Sequence, residues 1–467
     1  MDGREKEENC LLIVNLFFFA IILDMEKTNI LINKIISLCK RRGFIFPSSE
    51  IYGGFESCYD YGPLGVELKN NIKKVWWQSM VQENNNVAGL DASILMNPKV
   101  WQASGHLSVG FADQLVECVD CHKRFKNEDV EKKKCPECQG ELSKPRQFNL
   151  MMKTFVGSVE DQATTTYLRA ETCQGIYVNF LNILQSSRLK IPFGVAQIGK
   201  SFRNEVTTKN FIFRTREFEQ MEMQFFVHPK EANHWFNYWL EQRLAWYQSL
   251  DINKKNLRAY EVPEKDRAHY AKRQVDIEYH FPWGWQEIEG VHNRGDWDLS
   301  RHSQASKQEL LYFNQESKEK FIPFIIETSV GVERSLLTFL IDGYQEIEGG
   351  RSTTTEAIKE TETFLKLNKK ISPIKIAILP LSKKEEITKP AKNIYDELKK
   401  YWMIEYDETG SIGKRYRRQD EIGTPYCLTV DFDSLNDGKV TIRDRDSMKQ
   451  ERISADKLIA YFNDKFL

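Results

Sequence analysis

The chain has no excess of either charge: 66 Lys and Arg stand against 67 Asp and Glu, a formal net charge of −1. That balance excludes a protein held to nucleic acid or membrane by bulk electrostatics, so any such surface has to be local. Long apolar runs are also missing. The longest, Cys10 to Leu23, is fourteen residues interrupted by Asn15, whereas a hydrocarbon layer of ~30 Å needs about 20 residues at ~1.5 Å each. It follows an acidic leader, with neither the basic stretch nor the small-residue cleavage site of a secretory signal. Residues 1–24 are therefore expected to be a non-native or disordered extension, with translation starting at Met25 and no membrane partner. No internal repeat is visible. The nine cysteines do not form a disulfide framework either: four cluster at 118, 121, 135 and 138 and the other five are scattered. That distribution suits a reducing, cytoplasmic compartment and one metal site. What is present, 41% hydrophobic and 28% charged residues in 467, excludes a disordered chain and suffices for roughly three domains.

Apolar spacing predicts an amphipathic helix over 28–40 and a second over 66–82, separated by the Gly-rich YGGFESCYDYGPLG. A strand, ASILMNP, is expected to end at Pro98. Residues 112–147 are charged and carry the cysteine cluster, so they read as an inserted module. Strand-like alternation resumes over 191–228, followed by an aromatic helix over 232–250, a strand pair over 320–328 and a helix over 331–340. Residues 351–372, within a polar Gly/Thr/Glu stretch, read as a linker. Beyond it strands at 374–380, 402–407 and 426–432 alternate with helices near 383–401 and 412–420, which makes an α/β domain.

Cys118-x-x-Cys121 and Cys135-x-x-Cys138 are thirteen residues apart. Four thiolates complete a tetrahedral Zn²⁺ shell with no open position, which makes the expected site structural. His122 is the alternative ligand.

The segment QIGKSFRNEVTTKNFIFRTREFEQMEMQFFV (197–227) reads as two antiparallel strands around a turn at Thr207–Asn210. On the second strand, period 2 places Phe213, Thr215, Glu217, Glu219, Met221, Met223 and Phe225 on one face, and Arg214, Arg216, Phe218, Gln220, Glu222 and Gln224 on the other. A polar row in a central strand is costly if buried unpaired, so that face either meets solvent or lines a site. Arg203 on the partner strand adds a third guanidinium. Guanidiniums grip phosphate bidentately, Phe218 can stack on a base and Glu222 can receive an ammonium. Together they suit a nucleotide plus an amino acid.

These residues resemble a known family. Ser201-Phe202-Arg203-Asn204-Glu205 with Arg216-Glu217-Phe218 is similar to motif 2 of the class II aminoacyl-tRNA synthetases, and Glu327-Thr328-Ser329-Val330-Gly331-Val332-Glu333-Arg334 to motif 3. YGPLG (61–65), Trp101-x-x-Ser104-Gly105-His106, LRAETCQG (168–175) and WGWQEIEG (283–290) are similar to the dimeric-type glycyl-tRNA synthetases. The resemblance runs from about Met25 to the C-terminus. It implies an α+β fold: a six-stranded, mostly antiparallel catalytic core over 25–350 with the zinc insertion, and a C-terminal α/β anticodon-binding domain over 373–467. It further implies a homodimer through motif 1, matched to the helix before Ala88 and the strand ending at Pro98.

By the same resemblance Arg203 meets the α-phosphate of ATP, with Asn204 and Glu205 beside it. Phe213, Arg214, Thr215, Arg216, Glu217 and Phe218 carry further ATP contacts, Phe218 stacking on adenine. Glu287 and Ile288 contact ATP and Mg²⁺, and Arg334, after Gly331, Val332 and Glu333, covers adenine and reaches the γ-phosphate. The glycine pocket combines Glu171, Glu222, Glu327 and Ser329, with Arg124 and Arg294; Phe218, Glu219, Gln220 and Met221, and Thr328, Val330 and Gly331, flank it. Where the family usually has Pro, Ala and Pro, this chain has Ala170, Cys173 and Thr328. The implied activity is glycine–tRNA ligation: glycine is activated by ATP and passed to tRNA(Gly). Another class II synthetase, or a non-catalytic tRNA-binding relative, is the alternative. Lys414, Arg415, Arg417 and Arg418, with Tyr416, are the expected tRNA contacts.

Overall fold

The alternation at 217–227 forms a strand, and among the described residues six others join it in one sheet: β1 (Val87–Gly89), β2 (Phe193–Phe202), β3 (Glu217–Val227), β4 (Leu257–Glu261), β5 (Arg273–Phe281), β6 (Gly284–Gly295) and β7 (Phe324–Gly331). The computed structural model describes residues 30–466 except 109–110, 131–133, 162, 207–209 and 352–360. The run from Cys10 to Leu23, the start expected at Met25 and most of the turn expected at 207–210 lie outside the described residues. The strand order is β4-β5-β6-β7-β3-β2-β1, antiparallel except where the short β1 joins β2 in parallel. The sheet thus has one strand more than the resemblance implies.

From Glu217 onward β3 divides its two faces as period 2 requires. Met221, Met223 and Phe225 are fully buried in the main core, which is closed by α1 (Pro63–Trp77), α2 (Ala232–Ser249) and α3 (Val332–Gly343). Phe225, for example, lies 5.2 Å from Trp239 of α2 in an edge-on contact. α1 starts with proline at its first turn, where the missing N–H costs nothing. It can approach its neighbour because residue 65 is glycine: a Cβ there would meet the carbonyl oxygen of Phe44 at 1.8 Å. On the opposite face the sheet is apolar at one end, where Phe193, Phe226 and Ile325 pack beneath Ile176, Tyr177 and Phe180. The remainder of that face is polar and open.

Four sequence expectations change. ASILMNP is not a strand; Leu95 makes one isolated bridge to Leu168, and Pro98 opens the helix Pro98–Ala103 with Asn97 accepting from the Lys99 N–H at 3.0 Å. Proline's fixed φ and an Asn cap favour a helix start over a strand end there. The pair expected at 320–328 is split by Pro323, which has no N–H for a ladder: Lys320–Phe321 pairs with Tyr312–Phe313, while β7 enters the main sheet. The expected linker is partly structured, since Tyr344–Ile347 pairs with Glu362–Leu365. The helix expected at 66–82 is regular from Pro63 to Trp77 and continues as a π-turn over Gln78–Gln82.

The insertion is a three-stranded sheet of Ala112–Glu117, Arg124–Lys126 and Arg146–Asn149, with the first strand central. The C-terminal unit orders β8 (Ile376–Pro380), β9 (Ile404–Tyr406), β10 (Tyr426–Val430), β11 (Lys439–Asp444) and β12 (Gln450–Ser454) as β9-β8-β10-β11-β12. Its helices α4 (Glu385–Leu398) and α5 (Ile412–Ile422) match the expected positions. Its own core joins Ile376, Ile378, Ile387, Leu428 and Phe462.

Candidate active site

The open polar face forms a cleft. Glu171, Arg203, Glu205, Phe213, Arg214, Thr215, Phe218, Gln220, Glu222, Glu287, Ile288, Arg294, Glu327, Ser329, Gly331, Glu333 and Arg334 all line it, drawn from segments more than 160 residues apart in sequence. Register explains the convergence: β3 pairs Glu222 with Gln197 of β2 and with Ser329 of β7. The side chains of Gln220, Glu222 and Gln224 therefore stand in a row between those of the two neighbours.

One end of the cleft is acidic. Glu327 is buried; Arg294 donates to both its oxygens at 3.1 Å, and Gln224 to one at 2.9 Å. His292 Nδ1 lies 2.7 Å from its other oxygen, close but not aligned as a hydrogen bond. Burial pushes Glu327 up, but Arg294 and His292 outweigh it and hold the carboxyl at about 2. Arg294 is in turn gripped by Asp298 at 2.7 and 2.9 Å and stacks 3.7 Å from the Tyr270 ring centre. Glu222 differs. Among the described residues its hydrogen bonds come from neutral donors: Ser329 at 2.6 Å, Gln220 at 3.2 Å and the Thr172 hydroxyl. Burial, reinforced by Glu327 and Glu171, raises it to about 7. A carboxylate oxygen of Glu222, one of Glu327 and the Cys173 sulfur lie within 4.8 Å of one another.

The other end is basic and aromatic. Arg203 donates to the Ala170 carbonyl at 3.1 Å and its guanidinium lies 5.5 Å from the Phe218 ring centre. Arg334 donates to the Glu287 carbonyl at 3.0 Å and carboxylate at 3.1 Å, and sits 4.5 Å from the Phe213 ring centre. Burial pushes the Glu287 carboxyl up, but Arg334 and His292 bring it below its ordinary value. Two guanidiniums beside half-buried rings can hold a polyphosphate and a base; a carboxylate without a cation of its own can hold one ammonium.

The comparisons with known proteins bear on this geometry. Residues 157–342 match the family described as tRNA synthetase class II core domain (G, H, P, S and T), and residues 375–465 match the anticodon binding domain. The glycine–tRNA ligase of Treponema denticola is 52% identical over 442 residues, covering 93% of this chain and 97% of the relative. Those of Thermobifida fusca and Streptomyces coelicolor are each 50% identical, covering 92% of this chain and 97% of the relative.

The chain belongs to the glycine–tRNA ligase family.

It is accordingly an aminoacyl-tRNA ligase, with a class II core and an anticodon-binding domain. Not every residue expected at its site is in the cleft. Arg124 lies on the insertion, exposed, donating to Glu117 at 3.0 Å. Strand β3 begins only at Glu217, so the face assignment fails before it: Phe213, Arg214 and Thr215 all reach the cleft, while Arg216 turns away to the carbonyls of Glu205 and Glu56. Glu217 pairs with Lys200 at the surface. Glu219, on the far face, binds Lys69 and Lys73, and Met221, Thr328, Val330 and Val332 are buried away from the cleft. Asn204 is held by its backbone, its N–H donating to the Leu150 carbonyl at 2.9 Å. Of the departures from the family pattern, Ala170 still supplies the carbonyl for Arg203, and Cys173 donates to Glu171 at 3.0 Å.

The ligase's cleft also contains residues that sequence reasoning missed: Tyr270, Gln274 and His292 line it, and Asp298 anchors Arg294. Period 2 back from Arg294 on β6 would have found His292. Tyr270 sits in an irregular loop before β5, where no periodicity points. In the C-terminal unit Arg415 is buried and donates to the Pro380 and Asp407 carbonyls. The Tyr416 hydroxyl meets that of Thr429 at 2.6 Å. Arg418 is bound to Asp407, whereas Lys414 is exposed.

Proposed function

We propose that this cleft activates glycine with ATP to glycyl-adenylate and then transfers glycine to the 3′ end of tRNA(Gly). The observation that carries the reading is the charge imbalance at the acidic end. Glu327 has Arg294, Glu171 has His106 at 3.3 Å, and Glu222 is left for one ammonium. A substrate without a side chain offers few other handles, so charge and close walls select it. The glycine carboxylate attacks the α-phosphorus in line and pyrophosphate leaves. No protein nucleophile is needed; Arg203 and Arg334 position the phosphates and neutralise developing charge. Mg²⁺, which Glu287 would help to hold, would supply further neutralisation when bound.

Three further elements belong to this reading. Cys118, Cys121, Cys135 and Cys138 hold structural Zn²⁺: a Zn–S distance of ~2.3 Å separates sulfurs by about 3.8 Å along a tetrahedron's edge, and the Sγ pairs 118–138 and 121–135 are 3.4 and 3.6 Å apart, too far for disulfides. Lys414, Arg417 and Arg418 on α5 contact tRNA, Arg415 being structural. Two copies associate through motif 1, the helix before Ala88 and the segment ending at Pro98.

ATP–pyrophosphate exchange with each amino acid in turn tests the central claim. Exchange with glycine alone is expected; exchange with another amino acid, or none at all, refutes it.

A further inference from the structure

His106 is buried beside the Glu171 carboxylate, yet it does not line the cleft. Its Nε2 lies 3.3 Å from Glu171 Oε2, and its Nδ1 is 2.8 Å from Ser104 Oγ. The Ser104 hydroxyl also lies 3.3 Å from the Trp101 carbonyl. Ser104 can therefore donate to Nδ1 when the ring is neutral, or turn to Trp101 and accept when both ring nitrogens carry protons; in either state Nε2 keeps its proton and stays beside Glu171. The ring is fixed from both sides, edge-on to Trp101 at 5.2 Å and against Phe111 at 4.6 Å. Its backbone carbonyl accepts from Asn149 at 2.9 Å. Phe111 and Asn149 are the two stems of the insertion, so the insertion itself holds the ring.

Glu171 accepts from Cys173 at 3.0 Å and Gln174 at 2.9 Å on its other oxygen. A carboxylate offers about four acceptor positions; those of Oε1 are met by Cys173 and Gln174, and with His106 beside Oε2 one position there remains for a group in the cleft. Without His106 the carboxylate would be free to turn toward Arg294, the next nearest cation, and compete with Glu327 for it.

We propose that His106 is a positioning residue for glycine binding, fixing the Glu171 carboxylate so that it faces the substrate ammonium and leaves the Arg294–Glu327 pair intact. This rests on the reading of Glu171 as part of the glycine pocket.

The test is glycine-dependent ATP–pyrophosphate exchange with His106→Leu, His106→Gln and Glu171→Gln, each checked for folding by thermal melting. His106→Leu should raise the KM for glycine by about 10- to 100-fold, the weight of one charged hydrogen bond, with the KM for ATP unchanged within about twofold. His106→Gln, whose amide nitrogen can replace Nε2, should recover most of the loss. Should the Leu variant not fold, Ser104→Ala should raise the same KM by a smaller factor. A normal glycine KM in His106→Leu, beside a raised one in Glu171→Gln, overturns the positioning role and leaves the pocket standing. Equal impairment of the Leu and Gln variants also overturns it, because the ring's packing would then be what matters. A normal KM in Glu171→Gln removes Glu171 from the pocket and the proposal with it.

Discussion

Glu222 lies among three neutral donors in a site that already holds two other glutamates, and this ties glycine binding to pH. Its folded value of about 7 stands above the ordinary ~4.3 of an exposed glutamate. The ligand-free fold therefore keeps a proton that the unfolded chain has lost. This contribution to stability is whole below about pH 4 and disappears as pH rises through about 7. An ammonium in the pocket takes the proton's place. The rise in Tm caused by glycine should accordingly be larger at about pH 8 than at about pH 6, which differential scanning fluorimetry can measure. Glu222→Gln should abolish that dependence and lower glycine-dependent exchange by about 100-fold or more, while the protein still folds. On the phosphate side, Arg203→Lys keeps the charge but loses the planar fork; steady-state kinetics should show kcat reduced by roughly 10²- to 10³-fold. At this scale the sequence was legible in β3, where Gln220 and Glu222 alternate with core residues and so share one face; Glu327 and Ser329 came from the resemblance, and His292 and Gln274 were missed although they too lie in strands. Tyr270 and Asp298 were not legible, because a loop and a helix start bring them to Arg294 from outside any repeating pattern.

At the scale of elements, the insertion and α5 show the two ways a cluster of residues can be read. The four cysteines sit in a segment too small for a core of its own, so their geometry is the fold's support. Elemental analysis should find about one zinc per chain, and Cys118→Ser should lower that content and open 112–147 to limited proteolysis. The basic run on α5 looked uniform in sequence, yet a helix presents successive residues 100° apart, so Arg415 had to point inward while Lys414 points out. Arg415→Ala should destabilise the C-terminal unit by about 1.5–3 kcal/mol, the range for hydrogen bonds from a charged donor, measured by urea unfolding. Lys414→Ala should leave stability unchanged and weaken tRNA binding, reducing the salt dependence of the affinity by about one phosphate contact. In this unit β8, β9 and β10 fall where expected because each is a short apolar run flanked by turn residues, whereas β11 and β12, more polar, were not anticipated. ASILMNP failed because a proline and a capping asparagine outweigh the short apolar run before them.

Across the whole molecule, the stretch read as a linker proves to be a joint. Leu365, Leu367, Ile371 and Ile374 belong to the catalytic core's apolar cluster, which also takes in Ile422 of α5. Arg351 ties Glu362 to Asp420 at 2.8 Å each, and Arg42 binds Glu421 at 2.6 Å. Composition could not reveal this, since a Gly/Thr/Glu stretch looks the same whether its flanks are free or anchored. Each of those four side chains is worth about 1.5–3 kcal/mol when buried, against about 5–15 kcal/mol for a whole domain. A fragment ending at residue 350 should therefore melt well below one ending at residue 374, or fail to fold, as calorimetry can show.

The architecture also sets where this chain can change length. In β3 the carboxylate row and the methionine row differ by one position. Deleting a single residue there would swing Glu222 into the core and a methionine into the cleft. Between Phe111 and Asn149, by contrast, the chain leaves and returns to the same spot through paired stems, so whole turns can be gained or lost there without moving a catalytic atom. Length variation among natural sequences of this enzyme should therefore concentrate in that detour and be absent from 217–227.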